Sequence, residues 1–312
     1  MRRLTVILLT SFSLIFCHQA QSQQLKGEIQ ISGAFALYPL IVKWAEEFRK
    51  IYPNVRIDIS GGGAGKGITD ALARVVDLGM VSRDLYPVEL QKGAMGIPVA
   101  KDAVLPVVNS ANPLIKDILR TGLKKDAAKQ LWSGKLKSWG VFLNINRRLP
   151  IRVFTRSDAC GAAETWSAWF GMKQEDLEGT AVYGDPGVAS AVQRDKVAIG
   201  YNNIAYIYDQ RTKKPFPGLT VLPLDLNNNG RVDPEENFYD NTTLLIKAIS
   251  EGRYPSPPAR DLFLVSNGIP DNPVVIAFLK FILTKGQQYV NDMGFINLSK
   301  EELDRELKRI SK

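Results

Sequence analysis

Val55-Arg56-Ile57-Asp58-Ile59-Ser60-Gly61-Gly62-Gly63-Ala64-Gly65-Lys66-Gly67-Ile68-Thr69-Asp70-Ala71-Leu72 is the stretch that decides the fold. Val55 to Ser60 alternates as a strand does, and Lys66 to Val75 has helical spacing. The glycines between them let backbone approach a ligand, and a helix that starts there offers free N–H groups and the positive end of its dipole. Strand, glycine turn and helix in that order are the unit of an α/β domain with a largely parallel sheet. Such a turn suits an anion; the blander alternative is a tight turn that binds nothing. It is no P-loop, because the Gly-Lys-Ser/Thr ending is absent, and no acidic residue follows at the spacing of a dinucleotide fingerprint.

The pattern continues on both sides. Glu28 to Ser32 reads as a strand and Leu37 to Tyr52 as an amphipathic helix, with Leu40, Ile41, Trp44, Phe48 and Ile51 on one face. Asp77 to Val81 and Ala103 to Val108 read as strands. Beyond them, residues 124–131, 163–170 and 188–194 read as helices, and 151–155, 197–201 and 219–224 as strands. Pro255, Pro257 and Pro258 break the chain before a strand at 261–265, and a long helix is expected over 273–293. At 312 residues the chain exceeds what a single core of roughly 250–300 residues holds. Residues 25–105 with 258–312 are expected to form lobe one and residues 106–257 lobe two, with hinges near 105 and 257.

Residues 1–22 read as a signal peptide: Arg2 and Arg3, an apolar run from Leu4 to Cys17, then Ala20-Gln21-Ser22 as a cleavage site. A lipid anchor on Cys17 is the alternative, against which stands the bulky Phe16 before it. The chain's one histidine, His18, falls in this segment, and Cys160 is the one cysteine beyond it. Histidine triads, His-ligated zinc, thiol–His catalysis and an intramolecular disulfide are thereby excluded, which argues against an enzyme. The net charge of +8 falls to +6 without Arg2 and Arg3, and the basic residues are scattered. That distribution predicts no nucleic-acid partner, while a mild positive field would recruit small anions.

Two further stretches carry chemistry. Thr155-Arg156-Ser157-Asp158-Ala159-Cys160-Gly161-Ala162 again lies between a strand and a helix. Arg156 supplies a fixed fork of donors for an oxyanion, and Asp158 can orient it or cap the helix. Cys160, without a base, reads as a neutral thiol lining a pocket. The second stretch, Asp225 to Glu236, fits the twelve-residue calcium loop D-x-[DN]-x-[DN]-G-x5-E. Asp225, Asn227, Asn229, the Arg231 carbonyl, Asp233 and Glu236 would hold a structural calcium ion, with Gly230 making the turn. A strand precedes the loop where a helix would precede a sensor hand, so a lone clip is expected.

Six short motifs, in order and spacing, resemble the periplasmic phosphate-binding proteins of ABC-type phosphate importers. They are residues 31–39, the glycine loop at 60–68, Gly79 to Arg83, Leu131 to Trp139, residues 156–162 and Ala198-Ile199-Gly200-Tyr201. The resemblance implies an α/β, two-lobed type II periplasmic-binding-protein fold with a ligand cleft between the lobes. It implies a small oxyanion, most of all phosphate, held by turns that include Ala34, Phe35, Gly63, Ala64, Gly65, Lys66, Ser82, Arg83, Arg156, Asp158, Cys160, Gly161 and Ala162. An ABC permease in the inner membrane is the implied partner, the protein itself being a monomer in the periplasm and not an enzyme. This chain departs from the pattern at Ala34, Phe35, Ala36, Ala64, Cys160 and Ala162, where the family places hydroxyls, and at Arg83, where many members carry a carboxylate. Losing several of those hydroxyls would abolish tight phosphate binding unless Arg83 and Lys66 compensate. The alternative is a calcium-stabilised sensor of the same fold, with another ligand or a protein partner.

Overall fold

In the computed structural model, which describes residues 25–311, the first half of lobe one runs β1 (Gly27–Gly33), α1 (Tyr38–Ile51), β2 (Val55–Gly61), α2 (Gly63–Leu72), β3 (Leu78–Val81), α3 (Pro87–Gln91) and β4 (Ala94–Asn109). Lobe two follows with α4 (Ile115–Thr121), α5 (Lys125–Trp132), α6 (Trp139–Leu143), β5 (Arg152–Arg156), α7 (Gly161–Trp169), β6 (Thr180–Val182), α8 (Gly184–Arg194), β7 (Ala198–Asn203), β8 (Leu219–Val221) and α9 (Thr242–Ser250). The chain then returns through β9 (Ala259–Asn267) to α10 (Pro273–Leu283) and α11 (Lys300–Arg309). No described helix is long and apolar enough to cross a membrane.

The strands lie in the order β2-β1-β3-β9-β4-β7-β5-β6, with β8 added beside β4. Within each lobe three strands run parallel, β2-β1-β3 in one and β7-β5-β6 in the other. The expectation of a largely parallel sheet holds only there, because β4 and β9 join antiparallel to everything they touch. Short βα connections dictate parallel neighbours; strands that shuttle between lobes escape that rule.

β4 is the beam between the lobes. It pairs with β9 over Ala94–Ala103 and changes partner to β7 from Val104 onward. The apolar cores divide at the same place: one gathers residues between Ile29 and Ala100 with those after Leu262, the other gathers Ala103 to Ala259. Ile296 alone of the C-terminal segment packs into the second core, carried there by its pairing with Lys101.

Three expectations need correction. The glycine-loop helix begins at Gly63, not Lys66, so residues read as turn are its first turn. Ile51 is exposed, because α1 ends there and Tyr52 lays its ring on Phe48 instead. The helix expected over 273–293 stops at Leu283: Trp44 donates its indole N–H to the Gly286 carbonyl at 2.8 Å, and Gln287 reaches the carbonyl of Val99. Those long-range bonds outcompete two more helical turns.

Candidate functional site

Every loop that could hold a ligand leaves the C-terminal end of a parallel strand, the place where open α/β sheets bind ligands. From lobe one come the turn after β1 (Ala34, Phe35), the start of α2 (Gly63, Ala64) and the residue after β3 (Ser82). From lobe two come β5 with the start of α7 (Arg156 to Ala162), the start of α8 (Asp185) and the end of β7 (Asn203). Gly62, the N-cap of α2, has no side chain to cap the helix, so the first amides remain available to a partner across the cleft.

The two sets of turns touch. The Gly65 amide donates to the Ala159 carbonyl at 3.4 Å, and Tyr206 donates its hydroxyl to the Phe35 carbonyl at 2.9 Å. A Cβ on Gly63 would lie 2.6 Å from the Ala159 carbonyl oxygen, and one on Gly161 would collide with the carbonyl of Ser82. Only glycine fits at either contact point, so these two positions set how closely the lobes approach.

Between the turns lies a closed seam with no room for a water molecule. Of the residues expected at the site, Ala34, Phe35, Gly63, Ala64, Ser82, Arg156, Cys160 and Ala162 line it. Gly65 and Gly161 serve the contact between lobes, and Asp158 stands behind Arg156. Asp185 and Asn203 line the cavity as well and were not among the expected residues.

Arg156 is the centre. Its Nε donates to Asp158 Oδ1 at 2.8 Å, Nη2 to Asp158 Oδ2 at 2.5 Å and Nη1 to Asp185 Oδ2 at 2.7 Å. Burial opposes the guanidinium charge, but Asp185 foremost, with Asp158, holds its pKa above the ordinary arginine value. Asp158 also accepts from the Gly184 amide, which ties the start of α8 to the same ion pair. Cys160 is the N-cap of α7, its sulfur accepting from the Ala163 amide at 3.4 Å. Burial pushes the thiol up to about 12 although Arg156 pulls the other way, so it is neutral, as expected of a pocket wall.

Two expected anion ligands point elsewhere. Lys66 folds back over Gly62 and pairs with Asp70 one helical turn on, a partner that also accepts from Ser32. Arg83 is buried in a bidentate pair with Glu89 at 2.7 and 2.9 Å. It lies 3.9 Å from the Tyr86 ring centroid and 3.2 Å from Glu164 of lobe two. It is a latch between lobes rather than a wall of the cavity. The reason is local: Glu89 caps the Tyr86 amide at the start of α3 and offers Arg83 a carboxylate six residues away.

Asp185 had a signal in the sequence, whereas Asn203 at the end of β7 had none of this kind. Tyr183-Gly184-Asp185-Pro186 repeats the pattern of strand, glycine and helix start found at the other two turns.

Loop 225–236 folds around its own acids. Buried Asp225 accepts from the amides of Asn229 at 3.1 Å and Gly230 at 2.7 Å. Glu236 accepts from Leu226 and Asn227 at 2.8 and 3.1 Å, and both Asn227 and Asn229 donate side-chain N–H groups to Asp233. Among the described residues no three acidic, cysteine or histidine side chains converge as a metal centre would require, so any ion here needs the asparagine oxygens.

The model of the PBP superfamily domain matches residues 18–285. The phosphate-binding protein PstS of Xylella fastidiosa (strain Temecula1) is 28% identical over 302 residues, covering 86% of this chain and 82% of that protein. PstS of Staphylococcus haemolyticus is 24% identical over 299 residues, covering 93% and 87%. Among solved structures, a phosphate ABC transporter substrate-binding protein of Clostridium perfringens with bound phosphate superposes with a TM-score of 0.72 at 25% identity, covering 88% of this chain and all of that one. An ABC-type phosphate transport receptor of Vibrio cholerae superposes with a TM-score of 0.63 at 18% identity, covering 86% and 100%.

Proposed function

The chain belongs to the PBP superfamily, and from that premise we propose that it captures phosphate between its lobes and delivers it to an ABC-type importer. It binds and releases; it is not an enzyme. The observation that carries the reading is Arg156, a fork of donors buried where the glycine turns of both lobes meet. The curated relatives and the phosphate-bound Clostridium perfringens structure support phosphate as the ion. The seam between the turns admits no water when the lobes touch, so an anion enters only as they part about β4 and β9. A signal peptide over residues 1–22, outside the described residues, fits delivery of a monomer to the periplasm, there to meet a permease in the inner membrane; Cys17, the alternative anchor, lies outside them too.

Isothermal titration of the purified protein with phosphate, sulfate, molybdate and tungstate tests this. Micromolar or tighter phosphate binding is expected, with a loss of at least about 100-fold in Arg156→Ala, since a charged hydrogen-bond donor facing an anion is worth about 1.5–3 kcal/mol per bond. Heat with another oxyanion alone would replace the ligand and keep the capture role. Silence with all four would favour a same-fold sensor, a reading that Asp185 on Arg156 supports, because the arginine is already matched by protein carboxylates.

Loop 225–236 is proposed to hold a structural calcium ion through Asp225, Asn227, Asn229, the Arg231 carbonyl, Asp233 and Glu236. Two buried carboxylates satisfied only by amides and by Lys124 at 3.9 Å support it, since burying unpaired charge is costly. A melting temperature that rises with millimolar calcium and falls with a chelator is expected; an unchanged one refutes the ion.

A further inference from the structure

Five charged side chains form one buried chain from cleft to hinge. Arg156 donates to Asp158 and Asp185; Asp185 accepts from the Asn203 amide group; Asn203 Oδ1 accepts from Arg260; Arg260 Nη2 stands 3.7 Å from Asp102. Asp102 and Arg260 face each other across β4 and β9, one residue before the pair Ala103 and Ala259 that ends this ladder. Arg260 also donates to the Gly161 carbonyl at 2.5 Å and to Thr165 Oγ1 at 3.1 Å, so a hinge strand grips the start of α7.

The charges do not balance. Two arginines face three aspartates, and an arriving anion adds to the excess of negative charge. In a buried setting such an excess is costly, so a proton bound to one carboxyl favours capture. Asp158 accepts two bonds from Arg156 and one from the Gly184 amide, and Asp185 accepts from Arg156 and Asn203. Asp102 has no such support: it is wholly buried, no side chain donates to it, and the nearby amides of Ala103 and Ile204 reach it only with poor geometry. Desolvation pushes its carboxyl up to about 7, Arg260 and the amides of Ala103 and Ile204 pull it down, and Asp185 raises it further. The other titratable groups facing it are the hydroxyls of Tyr206 and Tyr254, both held neutral by burial.

We infer that capture of an anion in the cleft is coupled to uptake of a proton from solvent at Asp102. The inference rests on the reading of the cleft as an anion site. With Asp102 protonated, Arg260 loses its hinge partner and the five groups sum to zero, the two arginines balancing Asp158 and Asp185. By reciprocity the bound anion tightens the hold of Asp102 on its proton. Arg260 is a positioning residue in this arrangement, joining the hinge carboxyl to the start of α7.

Phosphate titrations of wild type and Asp102→Asn between pH 6 and 8.5 test it, because the titration of phosphate itself is common to both proteins. The wild-type Kd is expected to rise relative to the variant by up to about 30-fold across this range, since one linked proton changes affinity at most tenfold per pH unit above the free midpoint near 7. Carbon-13 carboxyl resonances of wild type supply a readout independent of the variant: the Asp102 midpoint is expected to rise when phosphate is added. Phosphate binding with superimposable pH profiles and an unmoved midpoint overturns the coupling alone. No phosphate binding by either protein at any pH overturns the anion reading, and the coupling with it.

Discussion

Cys160 stands at the N-cap of α7, where the resemblance places a hydroxyl, and its buried neutral thiol offers a weak donor to the cavity. Cys160→Ser is therefore expected to tighten phosphate binding by about tenfold, one hydrogen bond to a charged ligand, as read by titration calorimetry. The native thiol is expected to resist a thiol reagent until the protein unfolds, because the thiolate is the reactive form and burial suppresses it. Gly161 behaves oppositely. Its Cβ would strike the Ser82 carbonyl, so Gly161→Ala is expected to hold the lobes apart and weaken phosphate binding by at least about tenfold, since overpacking costs about 1–3 kcal/mol and here opposes closure. Asp102 titrates with the opposite sign from a salt-bridged acid. Its folded pKa of about 7 lies above its ordinary value of 3.8, so the stability it lends is complete below pH 3.8 and lost as pH rises toward 7. Urea titrations of wild type and Asp102→Asn are expected to diverge in favour of the variant over that window, by at most about 1.4 kcal/mol per pH unit.

At the scale of elements, helix starts set the site and helix ends answer to the core. α2 and α7 both begin at or beside glycines, which is why backbone of the opposite lobe comes so close to each, Ala159 to Gly63 and Ser82 to Gly161. α10 ends where Trp44 captures the Gly286 carbonyl. Trp44→Phe leaves that buried carbonyl without its donor and is expected to cost about 1–3 kcal/mol in urea unfolding, with phosphate affinity unchanged because the contact lies in the lobe-one core.

The whole molecule is two lobes hung on β4 and β9 and latched by side chains that meet across the cleft. Arg83 with Tyr86 on lobe one holds Glu164 on lobe two, and Tyr206 holds Phe35 from the other side. Glu164→Gln removes the charge on the second latch partner, and small-angle scattering of the unliganded protein is expected to show a larger radius of gyration than wild type. An unchanged radius would mean that the glycine contacts and the Tyr206–Phe35 bond suffice to keep the lobes together.

The sequence by itself determined most of the elements and the turns that matter, because glycine between a strand and a helix is a local signal: residues 60–68 and 155–162 carry it, and both lie at the cleft. It also determined the neutral thiol, since a chain with no histidine after residue 18 has no base of that kind for Cys160. What the tertiary structure alone decided is where the charges go. Lys66 and Arg83 look free in the sequence, yet each finds a nearer carboxylate, Asp70 and Glu89, than the cavity offers. Asp102 and Arg260 are 158 positions apart and meet only because β4 and β9 are neighbours. Helix and turn propensities act over a few residues, whereas charge pairing and desolvation depend on distances and burial that exist only once strands have found their partners.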